Sequence, residues 1–214
     1  MLLDWPTLTA KYGIRLTGVL HCGARLGEER DAYASLGCSN VWWIDGNPEI
    51  IERLRHNVEP LGHHVIQALL YDVDDETVPF HVTNNEGMSS SILEFGTHPT
   101  FYPTTVFEKH YDLATSTLDT LVSRYQIKDV NFLSMDLQGA EGHCLRGATH
   151  LLPQLDYVMT EINKEEVYQG CAKIWELEDM LADFERVETF WVGDEGWGDA
   201  LFIRRSLLEV APPG

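Results

Sequence analysis

The chain has 214 residues, of which 44% are hydrophobic, a length and composition that suit one well-buried domain. Its 34 acidic and 15 basic residues give a net charge of −19, which argues against a nucleic acid or an anionic membrane as a general partner. Because no apolar run approaches roughly 20 residues and the start lacks the pattern of a signal peptide, we expect neither a membrane span nor a leader.

The four cysteines lie far apart and include no C-x-x-C pair. They are Cys22, Cys38, Cys144 and Cys171. This spacing disfavours a zinc site or a disulfide framework and favours a reducing compartment. We therefore expect a cytoplasmic protein.

The first part of the chain alternates short apolar strands with amphipathic helices. The pattern predicts three strands, at residues 19–21, 40–44 and 64–70. It predicts two intervening helices, at residues 28–36 and 48–58, and Pro48 suits the first turn of the second one. This βαβαβ order implies a parallel, doubly wound sheet with right-handed crossovers.

A polar segment then interrupts the alternation of strands and helices. Residues 77–83 predict another strand, which we expect to extend the sheet. Residues 84–106 are rich in Gly, Ser, Thr and Pro, and a loop of this length inside a domain is usually functional or mobile. We therefore expect an active-site loop here. Ser89, Ser90 and Ser91 within it either order over a ligand as a lid or form a solvated turn.

The last part of the chain returns to alternating elements. The pattern predicts helices at residues 116–125, 141–152 and 174–184 and strands at residues 131–135 and 155–160. Residues 187–192 and 201–203 predict an antiparallel β-hairpin around a wide turn. Because there is no internal repeat and no linker, we expect one domain over residues 1–214, with a short N-terminal extension at residues 1–17.

A glycine turn follows the first predicted strand in the stretch GVLHCGARLGEE, residues 18–29. In an open α/β sheet, ligands lie beyond the carboxyl ends of the strands, beside the first strand. Gly23 and Gly27 would let the backbone approach a ligand closely, and the following helix offers free N–H groups. Asp45 ends the second strand, 22 positions after Gly23, where an acid would hold ribose hydroxyls.

This turn fits either a dinucleotide or S-adenosylmethionine as the ligand. Because a methionine-bearing nucleoside has no pyrophosphate, it does not require the full G-x-G-x-x-G pattern. The chain is also short for a dehydrogenase with its own substrate domain, and it ends in a hairpin instead of a further parallel crossover. These features favour S-adenosylmethionine, although each glycine alone is compatible with a tight structural turn.

Seven stretches over residues 18–204 together resemble the FkbM-type S-adenosylmethionine-dependent methyltransferases. They are GVLHCGARLGEE, WWIDGNPEIIERLRHN, GMSSSIL, TSTLDTL, LSMDLQGAEGHCLRGA, TEINKEEVYQGC and WGDALFIR. The resemblance implies an α/β fold, with a doubly wound, mostly parallel Rossmann-like methyltransferase sheet and a C-terminal antiparallel β-hairpin. It also implies an enzyme whose cofactor is S-adenosyl-L-methionine.

The resemblance further implies a cofactor pocket at the carboxyl ends of the first three strands. Its residues are Gly23, Ala24 and Gly27 in the turn, Asp45 on the ribose, Asn47, and Ala68 and Leu69 near the adenine. His21 replaces a usual acid and either contacts the methionine moiety or is a hydrogen-bonded structural residue. Asn47 either contacts the ligand or caps the following helix. Arg25 departs from the family pattern and receives no role.

Asp136 ends the fourth predicted strand of the sheet core in MDLQGAE, beside the first strand, and is the first candidate for general base or acceptor anchor. Methyl transfer is an in-line displacement, and a hydroxyl acceptor must lose its proton. Glu161 closes the next strand and is the second candidate, since neighbouring acids can raise one another's pKa. Alternatively, Asp136 caps the helix that begins near Gly139. Glu141 suits the first-turn dipole of that helix.

The reaction itself leaves alternatives open. Asp136, Glu161, Asn163 and His143 suit a hard divalent cation, but no compact ligand motif is present, so we expect no obligatory metal. The expected acceptor is a small molecule, with methylation of a hydroxyl on a sugar, lipid or secondary metabolite. The alternatives are N-methylation of a peptide side chain and a nucleoside-binding scaffold without catalysis. Loss of the acids at positions 136 and 161 would have favoured the scaffold. The oligomeric state is not indicated.

Overall fold

Ten β-strands run through the part of the chain that the computed structural model describes, residues 5–208. They are Val19–Cys22 (β1), Val41–Asp45 (β2), His64–Gln67 (β3), Leu69–Leu70 (β4), Thr77–Thr83 (β5), Phe107–Ser116 (β6), Phe132–Met135 (β7), Tyr157–Asn163 (β8), Phe184–Trp191 (β9) and Trp197–Arg204 (β10). Seven of them form the central sheet, in the order β3-β2-β1-β7-β8-β10-β9.

The central sheet is parallel from β3 to β8, and β10 joins it antiparallel to both β8 and β9. Neighbouring registers place Cys22 beside Met135 and Ile44, so the strand ends of β1, β2 and β7 meet at one edge. The strand order reverses beside β1, which creates a crevice at that edge. The predicted fold class, a doubly wound and mostly parallel sheet with a C-terminal antiparallel hairpin, is confirmed.

Eight α-helices occur within residues 5–208. They are Trp5–Tyr12 (α1), Arg30–Ser35 (α2), Ile51–Val58 (α3), His98–Phe101 (α4), Leu118–Arg124 (α5), Glu141–Arg146 (α6), Ile174–Met180 (α7) and Arg205–Leu208 (α8). None of the helices in this range is long and apolar enough to cross a membrane. Of the expected N-terminal extension at residues 1–17, residues 1–4 lie outside the described part of the chain.

The sheet has a hydrophobic core on each face. Successive side chains of a strand point to opposite faces, so Val19 and Leu20 of β1 belong to different buried clusters. Helix α3 packs Ile51, Leu54 and Val58 into the cluster that contains Val19, as its apolar spacing predicts. Burial on both faces holds the strand ends in fixed positions, so the crevice rests on a rigid support.

A second, three-stranded sheet lies apart from the central one, in the order β4-β6-β5. The prediction that residues 77–83 extend the main sheet is therefore wrong, because β5 pairs antiparallel with β6. The predicted strand at 64–70 is divided at Ala68, whose N–H donates to the Asp45 carbonyl at 3.0 Å. Strand β6 was not predicted, because residues 108–110 are consecutively polar and exposed and the alternation of Tyr111 and Leu113 with exposed neighbours covers only its second half.

Several predicted boundaries differ from those observed. Helix α6 ends at Arg146 instead of residue 152, and β9 begins at Phe184, which was assigned to the preceding helix. The segment 84–106 is not free of structure, since it contains α4 and an isolated bridge from Phe95 to Tyr168. The segment therefore packs onto the rest of the domain.

Candidate active site

A cavity of about 720 Å³ lies at the carboxyl edge of the central sheet. Its walls come from the turn after β1, the ends of β2, β7 and β8, the start of β10, and the segment 84–106. Every predicted site residue except Gly27 lines it. These residues are His21, Gly23, Ala24, Asp45, Asn47, Ala68, Leu69, Asp136 and Glu161.

Asp45 ends β2 and connects three parts of the cavity wall. Its Oδ2 accepts the backbone N–H of Arg25 at 2.8 Å, and its Oδ1 accepts the N–H of Asn47 at 2.8 Å. Burial raises the pKa of this carboxyl to about 6, while the two backbone donors oppose that shift. The carboxyl is held in a fixed orientation beside the glycine turn and can still accept hydrogen bonds from a ligand.

The two glycines of the turn have different surroundings, although both have a left-handed φ. A Cβ on Gly23, at φ 77°, would lie 1.8 Å from the carbonyl oxygen of Asp136, so only glycine allows β1 and β7 to end this close together. A Cβ on Gly27, at φ 71°, would lie 2.5 Å from Val58 of α3. Gly27 therefore serves helix packing and lies outside the cavity lining.

His21 is 2% exposed and hydrogen-bonded within the wall. Its Nδ1 lies 2.9 Å from the hydroxyl of Tyr33, and its Nε2 lies 3.7 Å from Glu29. Burial lowers the pKa of the imidazole, although the Glu29 charge opposes this. The histidine is therefore neutral near pH 7 and lines the cavity as an ordered polar group.

The other predicted cofactor residues have short-range roles that shape the wall. The side-chain oxygen of Asn47 accepts the N–H of Glu49 at 3.0 Å, so Asn47 supports the turn before α3 and also lines the cavity. Ala68 and Leu69 contribute apolar surface at the point where the chain passes from β3 to β4. A Cβ on Gly46 would lie 2.8 Å from Leu69, which shows how closely these turns pack.

Asp136 and Glu161 are joined by one side chain, Gln138. The Gln138 Nε2 lies 2.7 Å from Asp136 Oδ1 and 2.8 Å from Glu161 Oε2, and it donates to both. The Gln138 Oε1 accepts the hydroxyl of Tyr168 at 2.7 Å. Burial, followed by the charges of Asp136 and then of other nearby acids, raises the pKa of Glu161 well above its usual value.

Asp136 does not take its alternative role as a helix cap, because α6 begins at Glu141 after Ala140 and no side chain caps its first turn. Glu141 Oε1 accepts the N–H groups of Leu137 at 2.8 Å and of Gly139 at 3.3 Å. Glu141 is 1% exposed, and burial raises its pKa to about 7. Glu141 thus orders the turn before α6, while Asp136 lines the cavity and accepts the Gln138 amide.

The segment 84–106 lines the cavity and contacts Gln138 and Tyr168. Ser91 is 1% exposed, and its hydroxyl donates to the Gln138 carbonyl at 2.8 Å. The Tyr168 hydroxyl lies 3.2 Å from the Ser89 carbonyl. Ser89 and Ser90 are also buried, so the three serines do not form a solvated turn.

Among the lining residues to which the sequence assigns no role are Gln138, Tyr168, Tyr102 and Trp197. Tyr102, at the end of α4, donates its hydroxyl to Glu195, which also accepts the Trp197 Nε1 at 3.1 Å. The sequence offered one signal for Gln138 and Tyr168, because they lie inside two of the stretches that carry the family resemblance, MDLQGAE and TEINKEEVYQGC. The hydrogen bonds that connect them depend on long-range packing.

The cavity is markedly acidic. Arg25 lines it together with Glu28, Glu29, Asp45, Asp136, Glu161 and Asp199. Within residues 5–208, no group of three or more His, Cys, Asp or Glu side chains is arranged to hold a metal ion. His143, one of the residues considered for a cation, bonds instead to Asp72 at 3.0 Å and lies outside the cavity lining.

Two sequence comparisons identify relatives of the chain. A family model described as the methyltransferase FkbM domain matches residues 21–195. The 2-O-methyltransferase NoeI of Sinorhizobium fredii (strain NBRC 101917 / NGR234) is 26% identical over 164 residues, which cover 74% of this chain and 68% of that protein.

Solved structures show the same fold at low sequence identity. A NADB-Rossmann superfamily protein from Streptococcus agalactiae has a TM-score of 0.53 at 12% identity, with 95% of this chain and 69% of that chain covered. Magnesium protoporphyrin IX methyltransferase (ChlM) from Synechocystis PCC 6803, solved with bound SAM, has a TM-score of 0.50 at 10% identity, with coverages of 94% and 76%. The FkbM model spans most of the chain, and the protein therefore belongs to the FkbM family of S-adenosylmethionine-dependent methyltransferases.

Proposed function

We propose that this enzyme transfers a methyl group from S-adenosylmethionine to a hydroxyl group of a small, uncharged acceptor. The observation that carries the proposal is the pair of carboxyl groups, Asp136 and Glu161, which line the cavity beside the glycine turn. The name of the relative NoeI describes 2-O-methyl transfer, which supports a hydroxyl acceptor.

The residues at the carboxyl ends of β1 and β2 fit the cofactor. The Asp45 carboxyl keeps acceptor capacity for ribose hydroxyls, since each of its oxygens accepts one backbone N–H. Ala68 and Leu69 provide apolar surface for the adenine, and Gly23 keeps the turn close to the ligand. When bound, S-adenosylmethionine supplies an electrophilic methyl group on a sulfonium centre, whose positive charge suits the acidic cavity.

We assign different roles to the two acids. Asp136 uses Oδ1 to accept the Gln138 amide, which leaves Oδ2 to take the proton of the acceptor hydroxyl as it attacks the methyl group. The pKa of Glu161 is raised well above its usual value, which favours the protonated form, and in that form Glu161 donates a hydrogen bond that orients the acceptor. The balanced products are the methyl ether, S-adenosylhomocysteine and protonated Asp136.

The acceptor is uncharged in this proposal because of the charges around it. Arg25 is the basic side chain of the lining, against six carboxyl groups, so a phosphate or sulfate group would be repelled. This argues against nucleic acids and phosphorylated metabolites as acceptors. The cytoplasm is the proposed location, because all four cysteines are free and buried.

The test is a methyl-acceptor screen with methyl-labelled S-adenosylmethionine, in which each neutral polyol is paired with its phosphorylated counterpart. We expect label in one or more neutral hydroxyl compounds and none in the phosphorylated partners. Labelling confined to phosphorylated compounds would contradict the proposal.

A peptide side-chain nitrogen is the second candidate acceptor. Glu161 and Asp199 face each other across β8 and β10, and an acidic pair of this kind also suits a cationic amine. Peptides rich in Lys, Arg or Gln therefore belong in the same screen. Mass spectrometry of the labelled product separates an N-methyl group from an O-methyl group.

A further inference from the structure

We propose that Gln138 is a positioning residue that orients both acids of the site and links them to the segment 84–106. The proposal rests on the function proposed above, in which Asp136 takes the acceptor proton. Neither the glutamine nor its connection to the segment follows from the reaction itself.

The hydrogen bonds of the Gln138 amide determine its orientation. Its nitrogen carries two hydrogens, and the two nearby acceptors are Asp136 Oδ1 at 2.7 Å and Glu161 Oε2 at 2.8 Å. Its oxygen accepts from the Tyr168 hydroxyl at 2.7 Å. The reversed amide would place its oxygen against two carboxyl groups, so the observed orientation is the one that satisfies every partner.

This arrangement occupies one oxygen of each acid and orients the other, which in Glu161 lies 3.5 Å from the Asn163 amide nitrogen. A neutral amide also separates the two carboxyl groups without adding charge to a crowded acidic site. Other titratable groups interact with the pair from the elements around it: Glu141, Asp199, Tyr168, Tyr102, His21 and Asp45. A third carboxyl at position 138 would raise the pKa values of its neighbours by repulsion.

The backbone of Gln138 provides the link to the covering segment. Its φ of 52° lies in the left-handed region, which a residue with a side chain rarely adopts unless its surroundings hold it there. The Ser91 hydroxyl bonds to the Gln138 carbonyl at 2.8 Å, and Tyr168 lies within 3.2 Å of the Ser89 carbonyl. The segment therefore helps to hold the residue that orients the acids.

The experiment compares Gln138→Leu and Gln138→Glu with Gln154→Leu, a control at an exposed glutamine whose amide bonds to the His150 carbonyl. Two readouts are measured with S-adenosylhomocysteine bound: the dissociation constant, by calorimetry, and the titration of the labelled Asp136 and Glu161 carboxyls, by ¹³C NMR. The third readout is the pH profile of methyl transfer to the neutral polyol that the parent enzyme labels best.

We expect Gln138→Leu to bind S-adenosylhomocysteine within about threefold of the parent and to lose about 10- to 100-fold in kcat. The apparent pKa of the acid pair should rise by about one unit, because a donor to the carboxylate is lost. Gln138→Glu should raise it further, and Gln154→Leu should match the parent. A purely structural role would lower the melting temperature and leave the titration unchanged.

Carboxyl titrations and kcat values that match the parent in a folded Gln138→Leu variant would overturn the proposal. If that variant does not fold, Tyr168→Phe keeps the amide and removes its hydroxyl partner, and an unchanged titration there overturns the proposal equally. The NMR readout needs no acceptor, so a failed acceptor screen would count against the proposed function and not against the role of Gln138.

Discussion

The carboxylate of Asp45 accepts the backbone N–H of Arg25 at 2.8 Å, which ties the end of β2 to the turn after β1. The same carboxylate accepts the N–H of Asn47 at 2.8 Å through its other oxygen. Asp45 therefore orders the turn in addition to its proposed contact with ribose. Its removal should affect both ligand affinity and local order.

Asp45→Ala should weaken the binding of S-adenosylmethionine and S-adenosylhomocysteine by about 1.5–3 kcal/mol, the scale for hydrogen bonds to a charged group. Calorimetric titration of both ligands measures the loss. Asp45→Asn, which keeps one carbonyl acceptor, should lose less. An unchanged affinity in the alanine variant would remove Asp45 from the cofactor site.

Cofactor binding should release protons in mildly acidic solution. Burial raises the pKa of Asp45 to about 6 in the free protein, and ribose hydroxyl donors favour the charged form, so binding lowers that pKa. The affinity for S-adenosylhomocysteine should therefore fall as the pH drops through about 6. Calorimetric titrations of S-adenosylhomocysteine at pH 6, in buffers of different ionisation enthalpy, should show proton release by the parent. The Asp45→Asn variant should show none. An equal signal in that variant would assign the proton to another group.

The buried carboxyl of Glu141 should make stability depend on pH. Its folded pKa of about 7 lies above its unfolded value, so its contribution is full below the unfolded pKa and is lost as the pH rises through about 7. Glu141→Gln, which keeps an acceptor for Leu137 and Gly139, does not titrate. Denaturant unfolding at pH 5 and pH 8 should show the variant gaining about 1–3 kcal/mol relative to the parent at the higher pH. If the variant instead loses stability relative to the parent between pH 5 and pH 8, the carboxylate form of Glu141 is the stabilised one.

Gly23→Ala should be far more damaging than Gly37→Ala, although both glycines have a φ near 75°. A Cβ at Gly37 meets nothing within 4 Å, so that variant should lose about 1 kcal/mol for the left-handed backbone alone. A Cβ at Gly23 would lie 1.8 Å from the Asp136 carbonyl oxygen and must displace the end of β7. Unfolding free energies and the affinity for S-adenosylhomocysteine measure both effects. Equal losses in the two variants would mean that the close approach of β1 and β7 is not needed.

The predictions from sequence were accurate where short-range patterns determine the structure. The family, the fold class and the cofactor were confirmed, because the glycine turn, the acid that ends β2 and the quoted stretches are local features. Strand β6 alternates only in its second half, after three consecutive exposed polar residues, and this short pattern was missed. The predicted third strand is divided at Ala68 because β3 pairs with β2 and β4 pairs with β6, a change of sheet that no local pattern shows.

The positions of the two acids at the edge of the sheet could be predicted from the sequence, but the residues that bond to them could not. Asp136 directly follows β7 and Glu161 lies near the end of β8, so the topology of the sheet brings them to one edge. Gln138 required a left-handed backbone and a hydroxyl from Tyr168, which is remote in sequence. The roles assigned to the individual site residues stay predictions, and the variants at Asp45 and Asp136 test them.

The rate of methyl transfer by Asp136→Asn tests the central claim most directly. Asparagine is nearly isosteric and can still accept the Gln138 amide, so the fold should be kept and the affinity for S-adenosylhomocysteine should stay within about threefold. A single-turnover assay with labelled S-adenosylmethionine should show a rate lower by about 10²–10⁴-fold, the usual contribution of a positioned acid–base group. A variant that keeps more than about a third of the parental rate would contradict the account and make Glu161 the residue to test.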